Sequence, residues 1–140
     1  MIPELRRVLR PGGALVISHF SWLPRLDPIA RESEGLVLRY SPNWSGADFA
    51  GRVVVDPPWK PGALRQRAMF SYDEAIPFTR ESWRGRVRAS RGVGASLSPE
   101  QVEAFDRDHE ELLRSIAPSQ FTILHRIEAR IVEPGPADPR

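Results

Sequence analysis

The sequence has no cysteine and only three histidines in 140 residues, which excludes several kinds of functional site. Without cysteine there is no disulfide framework and no thiol nucleophile, and three histidines leave little for a metal centre. No apolar run approaches the ~18 residues of a membrane span, and the N-terminus lacks the apolar core and cleavage site of a signal peptide. We therefore expect a cytoplasmic protein with no membrane segment and no metal site.

Lysine is almost absent as well, because Lys60 is the only one and arginine supplies the rest of the positive charge. The formal net charge is only +2, and the arginines are interleaved along the chain with aspartates and glutamates. A nucleic-acid-binding domain usually concentrates its positive charge on one surface. The dispersed pattern predicts that nucleic acid is not a partner.

What is present is an alternation of predicted helices and strands. The first ten residues are typical of the end of an amphipathic helix, which Pro11-Gly12-Gly13 terminates before the buried strand "ALVIS". A half-exposed strand is predicted over "ALRQRAMFSYDEAIPF" and a long closing strand over "QFTILHRIEARIVEP". Further helices are predicted after the N-caps Asp27, Thr79 and Ser98. This order indicates an α/β fold with about three strands.

Two stretches of the sequence resemble one enzyme family. The segment "ELRRVLRPGGALVI" resembles the region before and within the fifth strand of class I S-adenosylmethionine-dependent methyltransferases of the type 11 kind. The segment "EAIPFTRESWRGRVRASRGVGASLSPEQVEAFDRDHEELL", followed by "FTILHRIEARI", resembles the C-terminal portion of a bacterial subgroup of that family. The resemblance covers about residues 3–133.

This resemblance implies a partial Rossmann-like methyltransferase fold. Its sheet would be a mixed remnant made of the family's fifth, sixth and seventh strands, with flanking helices. The last strand is expected to run antiparallel between the other two. Residues 1–133 would form the C-terminal, substrate-side part of a methyltransferase domain, and residues 134–140 a disordered tail.

The family binds S-adenosylmethionine through a glycine-rich loop after its first strand and an acidic residue after its second. No residues here match either feature, so the resemblance implies no cofactor-binding residue in this chain. We therefore expect a chain that begins where the C-terminal half of a methyltransferase begins and that is inactive alone. The parent reaction transfers a methyl group from S-adenosylmethionine to an acceptor, here a small molecule.

Four residues are candidate site residues. His19 follows the first predicted strand, at the edge where α/β sheets bind ligands, and could act as a general base. In the resembled family the C-terminal region caps the substrate pocket, which implies substrate contacts for Trp22 and Trp83. Arg80 could bind an acidic group of the substrate. Each residue also has a structural interpretation, which is packing for the rings and a solvated helix face for Arg80.

Two short motifs leave alternatives open. The segment "VVVDPPW", residues 53–59, resembles the Asp-Pro-Pro-aromatic motif of amino methyltransferases that act on nucleic acid, although we favour a proline-rich surface loop. The segment "RGVGAS", residues 91–96, is predicted to be a turn between helices and not a phosphate cradle, because no strand precedes it.

The predicted strand "ALVIS" has a further consequence. If its neighbours are missing, Leu15, Val16 and Ile17 are left on an uncovered strand edge, which favours self-association. A chain without a cofactor loop could also be a non-catalytic module that docks on a partner. This binding module is the alternative interpretation, and it belongs to a different functional class from a methyltransferase.

Overall fold

The computed structural model describes residues 2–51 and 62–135. These residues form four helices and three strands in the predicted order, so the α/β class is confirmed. The elements are α1 (Ile2–Val8), β1 (Leu15–Trp22), α2 (Pro28–Tyr40), β2 (Leu64–Thr79), α3 (Arg80–Arg88), α4 (Pro99–Ile116) and β3 (Gln120–Pro134).

The strands form one open sheet in the order β1-β3-β2, with the last strand in the centre. This is the order that the family resemblance implies. The expectation of a mixed sheet is wrong, because both neighbouring pairs are antiparallel. A central strand that runs opposite to both neighbours leaves no parallel pair in a sheet of three strands.

The N-caps predicted from the sequence are confirmed. The Asp27 carboxylate accepts a hydrogen bond from the Ala30 amide at 2.9 Å. Thr79 and Ser98 each form a capping box, with Ser82 and Gln101 as their respective partners. These side chains satisfy backbone N–H groups that a helix start leaves unpaired, which explains why α2, α3 and α4 begin where they do.

The chain divides into two compact units. The described part of the first unit consists of residues 2–20, 62–72 and 126–135. Its core is made of Ile2, Ala63, Leu64 and Val132, with Leu5, Leu15 and Ile17 packed against them. At the C-terminal end the Gly135 amide donates to the Ala63 carbonyl at 2.9 Å, so ordered backbone continues past the start of the predicted tail, and residues 136–140 lie outside the described residues.

Strand β1 alternates between packed and exposed side chains. Val16 and Phe20 are 60% and 41% exposed, whereas Leu15 and Ile17 pack against the core of the first unit. Successive side chains of a strand point to opposite faces, so only every second residue can be uncovered. The apolar surface predicted for Leu15, Val16 and Ile17 is therefore limited to Val16 within that segment.

The second unit contains residues 21–51 and 73–125. Helices α2 and α3 both pack against α4. The core of this unit is larger than that of the first and is rich in aromatic rings; its buried members are Trp22, Ala30, Leu36, Val37, Trp83, Val87, Val93, Phe105, Leu113, Ala117 and Ile123. Burial of large side chains of this kind is the main stabilising term for such a unit.

Candidate functional site

Two of the predicted site residues, Trp22 and Trp83, meet in the second unit. Trp22 is the last residue of β1, and Trp83 lies in the first turns of α3. Their rings pack edge to face, with centroids 5.5 Å apart and an interplanar angle of 79°. Trp22 is 7% exposed and Trp83 is 0% exposed, so Trp22 lies nearer to the surface. A ligand could reach the Trp22 ring more readily than the Trp83 ring.

Helix α2 binds both indoles through consecutive residues. Nε1 of Trp22 donates to the Glu34 carboxylate at 3.0 Å, and Nε1 of Trp83 donates to the Ser33 hydroxyl at 2.9 Å. The second oxygen of Glu34 accepts a hydrogen bond from the Asp48 amide at 2.6 Å. A buried indole N–H needs a partner, and the two residues supply one each. The positions of both rings are therefore fixed relative to α2.

Ser33 also contacts His109 of α4, whose Nε2 lies 3.0 Å from the Ser33 oxygen. Burial lowers the pKa of His109 from 6.5 to about 4, so the imidazole is neutral at pH 7. A serine beside a neutral histidine has the composition of a nucleophile–base pair. Both side chains are almost completely buried, however, and no substrate atom can reach them. The pair is part of the core.

Arg86 of α3 places a positive charge over the Trp22 ring. The central carbon of its guanidinium lies 5.0 Å from the centroid of the Trp22 ring, which is a cation–π geometry. Burial lowers the pKa of Arg86, although a guanidinium stays protonated in proteins. Trp22 therefore has a carboxylate at its N–H and a guanidinium near its ring.

Arg80, the predicted ligand of an acidic substrate group, donates instead to backbone. Its Nε and one terminal nitrogen bind the carbonyl of Ala117, the C-cap of α4, at 3.1 and 2.6 Å. It lines a polar cavity of about 360 Å³ whose other lining residues are Glu81, Arg84, Arg88, Glu110 and Arg114. Arg84 pairs with Glu110 of this lining and with Asp106 outside it, so acids balance much of the positive charge.

The remaining predictions fall elsewhere in the chain. His19 lies in β1 and belongs to the first unit, where its side chain is partly buried; Trp22, Trp83 and Arg80 belong to the second unit. The motif "DPPW", residues 56–59, lies outside the described residues. Of the four predicted site residues, the structure brings Trp22 and Trp83 into contact.

Residues 91–96 form the predicted turn between α3 and α4. A side chain at Gly92 would place a Cβ atom 2.7 Å from both the Trp44 ring and Val37. The carbonyl of Gly92 also accepts a hydrogen bond from the Ser41 hydroxyl at 2.6 Å. Glycine is required at this position because the turn lies against the core.

Sequence reasoning gave no site role to Ser33 or Glu34, and it considered Arg86 only together with Arg80, Arg84 and Arg88, for which it favoured a solvated helix face. A signal existed for Ser33, because helical spacing places it on one face with the apolar residues Ala30, Leu36 and Val37, and a polar residue on such a face usually has a buried partner. Arg86 belongs to a run of alternating arginines that is typical of a solvated helix face. Nothing in the local pattern distinguishes it from Arg84 or Arg88, because its partner Trp22 is distant in the sequence.

Across residues 2–51 and 62–135, no group of three or more histidines, aspartates and glutamates is arranged to hold a metal ion. None of the helices described in these ranges has the length and apolar character needed to cross a membrane. Comparison of this chain with protein-family models, with curated proteins and with solved structures found no match.

Proposed function

We propose that this chain forms the acceptor-binding part of a class I S-adenosylmethionine-dependent methyltransferase that acts on a small molecule. The observation that carries the proposal is the strand order β1-β3-β2, in which the last strand lies antiparallel between the other two. The resemblance of "ELRRVLRPGGALVI" to the family's fifth strand implies this order. Sequence pattern and topology therefore support the same assignment.

The geometry favours Trp22 as the contact for the acceptor. In the family that the sequence resembles, ligands bind beyond the carboxyl ends of the parallel strands, and Trp22 is the last residue of β1, the strand that resembles the family's fifth. Its ring supplies an aromatic wall, with the Arg86 guanidinium near one side. Trp83 is completely buried, so we assign it the role of holding Trp22 in place. A wall fixed in this way orients an acceptor, and orientation supplies much of the rate of group transfer.

The described residues do not fit S-adenosylmethionine. The Pro11-Gly13 turn leads from a helix into a strand, and the turn at residues 91–96 joins two helices. A cofactor loop of the family joins a strand to a helix, so neither turn has the required context. We assign cofactor binding to residues other than those described. His19 stays the predicted general base, and the cytoplasm stays the predicted compartment.

Calorimetric titration with S-adenosylmethionine tests this assignment. For the chain of 140 residues we expect no binding stronger than about 1 mM. If the reading frame that encodes this sequence extends beyond these 140 residues, its whole product is expected to bind one equivalent. One-to-one micromolar binding by the 140 residues alone would contradict the placement of the cofactor site, and failure of the whole gene product to bind would contradict the methyltransferase assignment.

A second candidate function is supported by strand β1. This strand lies at a sheet edge and contains no aspartate, glutamate, lysine or arginine over its eight residues. Charged residues normally protect an exposed edge from pairing, so β1 is suited to bind another strand. The alternative is a non-catalytic module that docks on a partner protein. Such a module predicts partner binding that S-adenosylmethionine does not change.

A further inference from the structure

The two units carry opposite net charges, although positive and negative residues are interleaved in the sequence. The described part of the first unit has seven arginines against three glutamates, a formal net charge of +4. The second unit has ten arginines against thirteen acidic residues, a formal net charge of −3. Folding thus concentrates positive charge in one part of the molecule. Positive charge that is dispersed along the chain argues against nucleic acid as a partner, and that reason does not hold for the folded protein.

The first unit also exposes a pair of stacked aromatic rings. Phe70 and Tyr72 of β2 are 58% and 50% exposed, with ring centroids 6.4 Å apart and an interplanar angle of 21°. Residues two apart in a strand point to the same face, so both rings project from one side of β2. Exposed aromatic rings on the face of a sheet are the surface on which unpaired bases stack.

Polar groups that can bind nucleic acid lie on the same face. Gln66 lies four positions before Phe70 and therefore on the same face, and its amide oxygen accepts a hydrogen bond from Arg130 of β3 at 3.3 Å. Arg130 is held by Glu128 at 2.7 Å, which fixes its guanidinium beside the strand. Arg65 and Arg67 lie at odd positions of β2 and therefore on the opposite face of the strand, where both pair with Glu133. Two arginines share this one acid, so the segment keeps an excess of positive charge.

We propose that this face of β2, centred on Phe70 and Tyr72, binds single-stranded nucleic acid. The net charge of +4 on the first unit attracts a polyanion. The two exposed rings favour a nucleic acid whose bases are unpaired and can stack on them. Duplex nucleic acid offers the charge without the free base faces. A second copy that presents the same face would carry the same positive charge and be repelled there, whereas the self-association expected for β1 uses the opposite edge of the sheet. The binding site is independent of the methyltransferase assignment, because it needs no S-adenosylmethionine.

The test is fluorescence anisotropy of a labelled oligothymidylate of about twenty nucleotides with the full chain. We expect binding that weakens steeply between about 50 and 200 mM salt, as phosphate contacts require. The variants Phe70→Ala and Tyr72→Ala are each expected to weaken binding about fivefold or more. Tyr72→Phe keeps the ring and is expected to bind as the unmodified chain does.

The matched control is Met69→Ala, because Met69 is 49% exposed on the same strand but points to the opposite face. It should leave binding unchanged, and a duplex of the same length should bind more weakly than the single strand. Three results would each overturn the proposal: no binding at low salt, equal binding by the ring-deletion variants, or an equal loss in Met69→Ala. A phosphate polymer without bases serves as a competitor for the oligothymidylate. If it competes as well as an unlabelled oligothymidylate does, and Phe70→Ala does not change this, the site recognises only negative charge and the proposal is overturned.

Discussion

The indoles of Trp22 and Trp83 pack edge to face, with their centroids 5.5 Å apart. Each N–H is bound by a different residue of α2, since Glu34 accepts from Trp22 and Ser33 accepts from Trp83. The two rings come from β1 and α3, and their positions in the chain are 61 residues apart. Ser33 and Glu34 therefore connect the end of β1 to the start of α3. This connection fixes the position of the Trp22 ring, to which we assign the contact with the acceptor.

The Ser33 hydroxyl is expected to contribute measurably to stability. Ser33→Ala leaves the Trp83 N–H and the nearby nitrogen of His109 without their buried partner. An unsatisfied buried polar group costs about 1–3 kcal/mol, so the free energy of unfolding should fall by that amount in urea titration. Ser115→Ala is the control, because the exposed Ser115 hydroxyl donates only to the carbonyl of Leu112. An equal effect of both substitutions would contradict this account.

The Asp27 side chain is expected to tie α2 to β3. One of its carboxylate oxygens accepts from Ala30 and the other from the Leu124 amide, both at 2.9 Å. Asp27→Ala removes both acceptors and should lower the free energy of unfolding by about 2 kcal/mol or more. Asp27→Asn keeps one acceptor oxygen and should lose roughly half of that. If the two variants are equally stable, the hydrogen bond that Asn keeps does not contribute to stability, which would contradict this account.

His109 is expected to make stability depend on pH. Burial lowers its pKa in the folded chain from 6.5 to about 4. Between these values the unfolded chain binds a proton that the folded chain does not, so the free energy of unfolding falls as the pH decreases from about 6.5 to 4, by up to about 3 kcal/mol. Above pH 6.5 this contribution is fully present.

Urea titrations at several pH values, on the unmodified chain and on His109→Gln, measure this contribution. Gln keeps a nitrogen that can bond Ser33 but does not titrate. Burial also lowers the pKa of His125, and that contribution is the same in both proteins, so the difference between the two pH profiles isolates His109. Parallel profiles would show that His109 is not responsible.

Much of the local structure was predictable from the sequence, because caps and period-two patterns act over a few residues. Asp27, Thr79 and Ser98 begin their helices as predicted, and the closing strand has its predicted bounds. Strand β1 is longer than the segment "ALVIS" indicates and continues to Trp22. Pairing with the long β3 extends β1, and local propensity cannot show such a partner.

The tertiary features were less accessible. The strand order followed from the family resemblance and not from the pattern of residues. The hydrogen bond from Trp22 to Glu34 and the contact of Arg86 with the Trp22 ring join separate elements, so no periodicity indicates them. The separation of charge between the units was concealed because each of them is assembled from non-contiguous segments.

Strand β1 is expected to mediate self-association. Its edge carries no charged residue, and Val16 is 60% exposed. Sedimentation of the chain should therefore show dimers or larger species. Val16→Lys places a charge on the edge and should shift the population to monomer, whereas Leu26→Lys, at a position 64% exposed in the second unit, should not. A monomer over a wide concentration range would contradict the prediction.

The central claim is that Trp22 forms the acceptor wall of a methyltransferase, and label transfer from S-adenosylmethionine to low-mass acceptors tests it most directly. The whole gene product is compared with its Trp22→Ala, Trp22→Phe and Leu26→Ala variants. We expect labelled product, a loss of about tenfold or more in kcat/KM for the acceptor in Trp22→Ala, partial recovery in Trp22→Phe, and no change in Leu26→Ala. Affinity for S-adenosylmethionine should change less than about twofold. Unchanged turnover in a folded Trp22→Ala variant, or no labelled product from a protein that binds S-adenosylmethionine, would contradict the account.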